Sequence, residues 1–330
     1  MDVGLIVDNS LKAAFGVEAC YFALAAIGLN VHFGYTGLLN FGQVGFLAVG
    51  AYGIGVSVAT FNLPFGVGLL VGLLAAVVLA LLLGIPTLRL RADYLAIVTI
   101  ASSEILRLTA RSAALRDLTG GSSGLSSFAN GFYGLNPLSP GTYGIGPVSY
   151  NERVSWVLLC GWTMVALASL LVFLLMRAPW GRVLKAIRED EDAARSLGKN
   201  VYAYKMQALV LGGVFGALGG FVFSVSTQSI QPDSYGTPTT FFAYTALLMG
   251  GAARIFGPVV GSMIFWVLLV GIENTLVQAV NTGYIPESIM DGSQVGQVRF
   301  ILVGLGLMAL MIYRPQGLFG DRKELALDAR

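Results

Sequence analysis

The stretch FGVGLLVGLLAAVVLALLLGIPTL, residues 65–88, decides the fold class. It holds no Asp, Glu, Lys or Arg, and a helix needs about 20 mainly apolar residues to cross a bilayer core. The run free of those four residue types is longer still, from Ala19 to Leu88. It has room for about three crossings. The whole chain is 55% hydrophobic and 12% charged, where an ordinary soluble domain carries about 25% charged residues. Its mean hydropathy is +0.75. Long continuous apolar runs exclude a transmembrane β-barrel, whose short strands alternate in polarity. The expected fold is an all-α polytopic membrane protein.

Apolar segments stand at 17–33, 44–60, 65–88, 94–110, 154–176, 206–228, 239–253, 256–278 and 298–312. They predict eight to ten membrane helices, some broken or re-entrant, in one membrane domain over residues 1–330. Pro64 and the pair Pro179/Trp180 mark span ends. Orientation follows the lysines and arginines. Arg177, Arg182, Lys185, Arg188, Arg195, Lys199 and Lys205 crowd the 177–205 segment, which is therefore expected in the cytoplasm. Alternation from there puts Arg89/Arg91, Arg254 and the C-terminal Arg314, Arg322 and Lys323 on the same side. Residues 111–153, 229–238 and 279–297 then face outward, with Arg111 and Arg116 as mild exceptions. Nine crossings put the N-terminus outside and eight put it inside. Asp2 and Asp8, with no basic region before an apolar one, do not read as a signal peptide.

Two segments are interrupted by glycine. GYTGLLNFGQVGFLAVGAYGIG (34–55) lies in the first half and LLMGGAARIFGPVVGSMIF (247–265) in the second. Glycine lets membrane helices approach closely, so tight packing is one reading. Discontinuous helices that present backbone dipoles to a substrate are the other, and a matched pair in opposite halves suggests an internal repeat. The candidate substrate path is Asn40, Gln43, Thr99, Ser103 and Glu104: polar residues within spans, near a break or a carboxylate. Hydrogen-bonded glue between helices is the competing role for each. His32 is the only histidine, and packing is its simpler role. Glu104 and Arg107, three apart, share a helix face and can pair. Glu273 stands alone late in its span.

Several classes fall away. A net charge of +2 does not call for nucleic acid. Cys20 and Cys160 sit in apolar segments and suit buried small hydrophobes. One histidine allows neither a His cluster for metal nor a Ser/His/Asp arrangement. The phosphate-loop pattern fails at its only Gly-Lys step, Gly198-Lys199, which Asn200 follows. The chain is expected to be no enzyme and to hold no cofactor of its own.

One charged segment remains, WGRVLKAIREDEDAARSLGKN (180–200), with seven charges between Lys185 and Arg195. Helical spacing of Val183, Leu184, Ile187, Ala194 and Leu197 predicts a helix over 182–197 with an apolar face. Arg188, Glu189, Asp190, Glu191, Asp192 and Arg195 form its other face, and Gly198 stops it. Its acid content argues against simple binding to anionic lipid. A docking helix for a cytoplasmic partner fits better.

Four stretches, in order, resemble the permease subunit of bacterial branched-chain amino acid ABC importers. They are GYTGLLNFGQVGFLAVGAY (34–52), LRLRADYLAIVTIASSEILRL (88–108) with LTGGSSGL (118–125), WGRVLKAIREDEDAARSLGKNVYAYK (180–205) and FFAYTALLMGGAARIFGPVVGS (241–262). The resemblance implies that 177–205 is a coupling segment, with Glu189, Asp192, Ala193, Ala194 and Gly198 at the family's positions and Arg188 and Asp190 beside them. It implies two ATPase subunits that hold ATP and Mg, a second related permease chain, and an extracytoplasmic binding protein, all at the bacterial inner membrane. IASSEIL departs from the family, carrying two serines where a glycine-containing step is expected. Urea or short amides are alternative cargoes of the same architecture. An ion-coupled secondary transporter is the alternative from another class, and its only plausible carboxylates are Glu104 and Glu273.

Overall fold

A computed structural model describes residues 2–89, 92–286, 292 and 294–320. Among these residues there are fourteen α-helices and two small antiparallel strand pairs. Helix α1 (Val3–Phe15) is capped by the Asp2 carboxylate. α2 (Val17–Leu29) continues as a π-helical turn, Asn30–Tyr35, and α3 (Gln43–Gly55) likewise continues through Val56–Thr60. α4 (Phe65–Thr87) and α5 (Ala92–Arg111) follow. A connecting region holds α6 (Arg116–Thr119), β1 (Leu125–Ser126), α7 (Asn130–Tyr133) and the hairpin of β2 (Thr142–Ile145) and β3 (Val148–Asn151). Then come α8 (Glu152–Arg177), α9 (Pro179–Glu189), α10 (Glu191–Ser196) and α11 (Val201–Thr227). After β4 (Ser229–Ile230) the chain closes with α12 (Thr237–Gly250), α13 (Gly257–Asn281) and α14 (Val295–Tyr313).

Every one of the nine apolar segments is helical. Seven of these helices are long and apolar enough to cross a membrane. α5 carries Glu104, Arg107 and Arg111, and α12 has only 14 residues, and neither is among the seven. The multi-pass α-helical expectation holds. Arg91, Arg322 and Lys323, used above for orientation, lie outside the described residues.

α2 is the axis. Each residue from Ala19 to Leu29 is buried, because α8, α11, α12 and α13 surround it. Small residues permit this. A methyl group on Gly212 of α11 would lie 2.3 Å from His32 Nε2 and 2.5 Å from the Gly28 carbonyl oxygen, so the two backbones touch. α4 and α8 instead turn leucines outward, among them Leu70, Leu74, Leu167 and Leu174. On such apolar helices these are the faces for lipid or for another membrane chain.

The two ends of the bundle are chemically different. At one end lie Gly34–Leu38, α9 and α10, the 250–257 connection and residues 314–320, whose Leu318 and Phe319 amides donate to the carbonyls of Met249 and Gly250. At the other lie residues 111–151 and 228–236. The 111–153 segment is therefore more than a connecting loop. β1 pairs with β4 through Leu125 with Ile230 and Ser126 with Ser229. The LTGGSSGL stretch makes that pairing possible: Gly124 has φ +74, and a side chain there would meet the Ile230 carbonyl oxygen at 2.2 Å. Ile230 is fully buried. These strand pairs are the departure from a purely helical chain. Arg111, an exception to the charge rule, is neutralised by Asp233 at 3.1 Å.

Candidate functional site

The charged segment is an elbow, and here the structure corrects the sequence expectation of one helix over 182–197. α9 starts at Pro179 in the first turn, where the missing amide costs nothing. Leu184 and Ile187 bury its apolar stripe. The helix breaks at Asp190, which is extended (φ −155, ψ 106). Its carboxylate accepts from the amides of Asp192 (3.0 Å) and Ala193 (2.9 Å) and so caps α10. An Asp side chain that bonds nearby amides competes with helix continuation, which is why periodicity alone misses the break. Arg195 bridges Glu191 and Asp192, each at 2.9 Å, and Lys205 of α11 binds Glu191. Gly198, at φ +75, ends the elbow as expected.

The break also re-sorts the faces. Ala194 is buried with Ile187 and Val201, as its place on the apolar stripe predicts. Leu197, placed on the same stripe, is 79% exposed instead. Glu189, Asp190, Asp192 and Ala193 are exposed. Arg188, placed on the charged outer face, turns inward: its Nη1 donates to the Gly34 carbonyl at 2.6 Å. Gly37, at φ +74, lies against the stem of Arg188. The elbow thus grips the start of the first Gly-rich break.

That break is a loop folded back into the bundle. Asn40 and Gln43 are fully buried. The Asn40 side-chain amide donates to Gln43 Oε1 (3.0 Å) and meets His32 Nδ1 (3.1 Å), while its carbonyl accepts from Gly42 N (3.0 Å). His32 Nε2 lies 3.1 Å from the Leu209 carbonyl, so a neutral ring with its proton on Nε2 satisfies both contacts. Gln43 donates to the Gly212 carbonyl at 3.0 Å. Thr99 Oγ1 accepts from Phe41 N (3.1 Å), and Tyr244 donates to the Asn40 carbonyl (2.9 Å). Buried backbone groups outside regular helix need partners of this kind. Ser103 packs against Gly45, so the serine step in IASSEIL meets the first break by contact.

Of the five candidate path residues, Asn40, Gln43 and Thr99 therefore converge on one loop, and Ser103 packs beside it on the first turn of α3. Glu104 does not join them. It binds Arg107, which also binds Asp233 at 2.7 Å at the opposite end from the elbow. Asn30, absent from the candidate set, is as central as His32. It donates to the Arg254 carbonyl (2.7 Å) and accepts from Ala253 N (2.8 Å), which ties the second Gly-rich break to α2. An amide in an otherwise apolar run was its only signal.

A family model described as the permease component of branched-chain amino acid transport systems matches residues 13–290. The chain belongs to this family. The high-affinity branched-chain amino acid transport system permease protein LivM of Escherichia coli (strain K12) is 30% identical over 305 residues, which span 90% of this chain and 67% of LivM. LivM of Salmonella typhimurium is 30% identical over 310 residues, again 90% of this chain and 67% of the relative. A shorter match, 29% identical over 119 residues, covers 36% of this chain and 34% of the autoinducer 2 import system permease protein LsrC of Escherichia coli O157:H7.

For this permease the charged groups inside the bundle are informative. Glu104 is neutralised by Arg107. Glu273, read from sequence as solitary, is paired with Arg299 of α14; a helix partner 26 residues away lies beyond any local pattern. Both carboxylates that a proton- or sodium-coupled carrier would use are thus paired with an arginine. Among the described residues no group of three His, Cys, Asp or Glu side chains is arranged to hold a metal.

Proposed function

We propose that this permease is the transmembrane subunit of an ATP-driven importer of leucine, isoleucine and valine, and that residues 177–205 are its coupling segment. The observation that carries the coupling role is the bond from Arg188 to Gly34. This compact charged segment outside the spans grips the backbone of a broken helix inside them. A partner that moves the elbow therefore moves the loop holding Asn40 and Gln43. The exposed surface of Glu189, Asp190, Asp192, Ala193 and Leu197, ending at Gly198, is the docking face. Complementary charge on a partner would fix its register, and Leu197 would supply a buried anchor.

In this reading two ATPase subunits sit below the elbow and carry ATP and Mg. A second related permease chain completes the path, and an extracytoplasmic binding protein delivers substrate to the end formed by residues 111–153 and 228–236. The elbow and the C-terminus are cytoplasmic, the membrane is the bacterial inner membrane, and the chain itself performs no catalysis. Asn40, Gln43, Thr99 and Ser103 bound the moving part of the path, and Glu104 lies toward its outer mouth.

The test is uptake into vesicles that contain the purified complex, with ATP inside. Wild type should import branched-chain amino acids only with ATP and a loaded binding protein. Glu189→Arg with Asp192→Arg should abolish uptake and release the ATPase. Uptake without ATP, or full uptake by the charge-reversed protein with its ATPase still bound, would overturn the assignment.

A further inference from the structure

α8 and α13 both pack on α2. Between the end of α8 and the start of α13, beside the elbow, the surface opens into a cavity of about 600 Å³. Arg177 and Lys185 line it from the α8–α9 corner, and Arg254 and Phe256 line it from the 250–257 connection. Among the described residues no Asp or Glu lines it, so the carboxylates of the elbow lie elsewhere. The Arg177 guanidinium carbon stands 4.0 Å from the centroid of the Phe173 ring, and Lys185 Nζ stands 5.9 Å from that of Tyr35. Beyond these ring contacts neither cation has a hydrogen-bond or ion-pair partner among the described residues. A guanidinium has five N–H donors and an ammonium three. The cavity is thus edged by positive donors that the described chain does not use.

The cavity continues along α8. A groove of about 520 Å³ shares Phe256 with it and is walled by Trp162, Val165, Leu170 and Phe173 of α8 and by Val259 of α13. Its lining is almost wholly apolar, and Ser169, which borders it, keeps its hydroxyl buried. From Trp162 to Phe173 the wall is about 17 Å long at a rise of 1.5 Å per residue. That is about half of the ~30 Å hydrocarbon core, the depth of one leaflet. Arg177 sits where the two spaces meet, stacked on a ring that lines the groove. Water alone could satisfy an exposed cation. The apolar groove that leads away from these two is what distinguishes their position.

We infer that the cavity and the groove hold one anionic phospholipid of the cytoplasmic leaflet, its phosphate beside Arg177 and Lys185 and an acyl chain along α8. Basic pockets between membrane helices on the cytoplasmic side suit anionic headgroups. A free anion would use the cations and leave the groove empty. A zwitterionic lipid would fill the groove and leave the positive charge unbalanced. Arg177 ends α8 and Lys185 belongs to the elbow, so a phosphate shared by both ties the elbow to the bundle. The inference takes from the proposed function only that the elbow end is cytoplasmic, and it does not depend on the cargo.

The test uses the complete transporter in phosphatidylcholine nanodiscs that carry a small fraction of photoactivatable lipid. That lipid has a diazirine in its acyl chain and a headgroup of either phosphatidylglycerol or phosphatidylcholine. Peptide mass spectrometry reads the adducts on residues 162–173. Phosphatidylglycerol should label this wall at least about fivefold more than phosphatidylcholine. Arg177→Gln with Lys185→Gln should bring its labelling down to the phosphatidylcholine level, whereas Arg177→Lys with Lys185→Arg should keep most of it. Labelling of the outward face of α4, at Leu70 and Leu74, should be the same in every variant and reports an intact fold. Equal labelling by the two lipids, or undiminished labelling of the glutamine variant, would overturn the anionic site. Competition by inorganic phosphate that removes the labelling would reassign the cavity to a free anion. A wall that neither lipid labels, and that cross-links to the second permease chain, would reassign the groove to a protein contact. Each of these results leaves ATP-dependent uptake, the test of the proposed function, as a separate measurement.

Discussion

Arg188 Nη1 donates a 2.6 Å hydrogen bond to the carbonyl oxygen of Gly34. The two residues lie 154 positions apart. One belongs to the charged elbow and the other to the last turn of α2, where the helix widens and the chain folds back as a buried loop. Two residues before Gly34 in the same turn, His32 begins a set of bonds that runs through Asn40 to Gln43 and on to α11. Contiguous packing is only a route by which coupling can travel, and the mutations below ask whether it does.

Removing the guanidinium isolates the link. Arg188→Met keeps most of the stem and leaves the docking face untouched. A hydrogen bond to a charged group contributes about 1.5–3 kcal/mol, so uptake per ATP hydrolysed should fall about tenfold or more. ATPase binding should stay at the wild-type level. Equal losses in binding and uptake would assign Arg188 to docking, and no loss in either would break the proposed route.

The buried loop should resist change for structural reasons as well. Asn40→Leu strips partners from His32 Nδ1, Gln43 Oε1 and the Gly42 amide at once. Each unsatisfied buried group costs about 1–3 kcal/mol. Thermal unfolding in detergent should show a larger drop for Asn40→Leu than for Thr99→Val, which strips a partner from the Phe41 amide and a second donor from the Ala96 carbonyl. A reversed order would mean that the loop is held mainly through α5.

These results bear on what the sequence could show. The helices were legible because about 20 apolar residues in a row have few alternatives in water or lipid. The elbow was legible as a charge cluster in a chain only 12% charged. Its break at Asp190 was not, because a capping carboxylate and a helical one have the same periodicity. Leu197 follows from that break: once α10 restarts, an apolar residue in register with Ile187 faces away from it. Asn30 and Arg299 were missed for another reason, since their partners Ala253, Arg254 and Glu273 come from distant elements. Burial of Asn40, Gln43 and Thr99 was predicted only as one of two roles, and which role a buried amide plays depends on neighbours that only the fold supplies.

The elbow offers two substitutions with different consequences. Asp190→Ala removes the cap of α10 and should cost about 0.5–2 kcal/mol of local stability, with Asp190→Ser retaining most of it. Affinity for the ATPase should fall for Asp190→Ala and recover in the serine variant. Leu197→Asp touches nothing inside the chain, being 79% exposed. Its melting temperature should match wild type while ATPase affinity falls at least tenfold. A Leu197→Asp protein that binds the ATPase normally would remove Leu197 from the docking face.

The pairing of Glu273 with Arg299 separates an ATP-driven importer from an ion-coupled carrier. A carboxylate that takes up and releases a proton during transport must lose its counter-charge at some step, and Arg299 is 16% exposed beside it. If the pair is structural, Glu273→Gln leaves a largely buried guanidinium without its partner. Yield and thermal stability should then fall, although solvent around the more open Glu273 limits the loss. The exchange Glu273→Arg with Arg299→Glu restores the pair in reverse and should recover most of the stability and the ATP-dependent uptake. An uncoupler that collapses the proton gradient should change neither, provided that ATP is supplied inside the vesicles. A carrier that needs the carboxylate for its ion behaves oppositely: the reversed pair stays inactive however stable it is, and the uncoupler stops transport with ATP present.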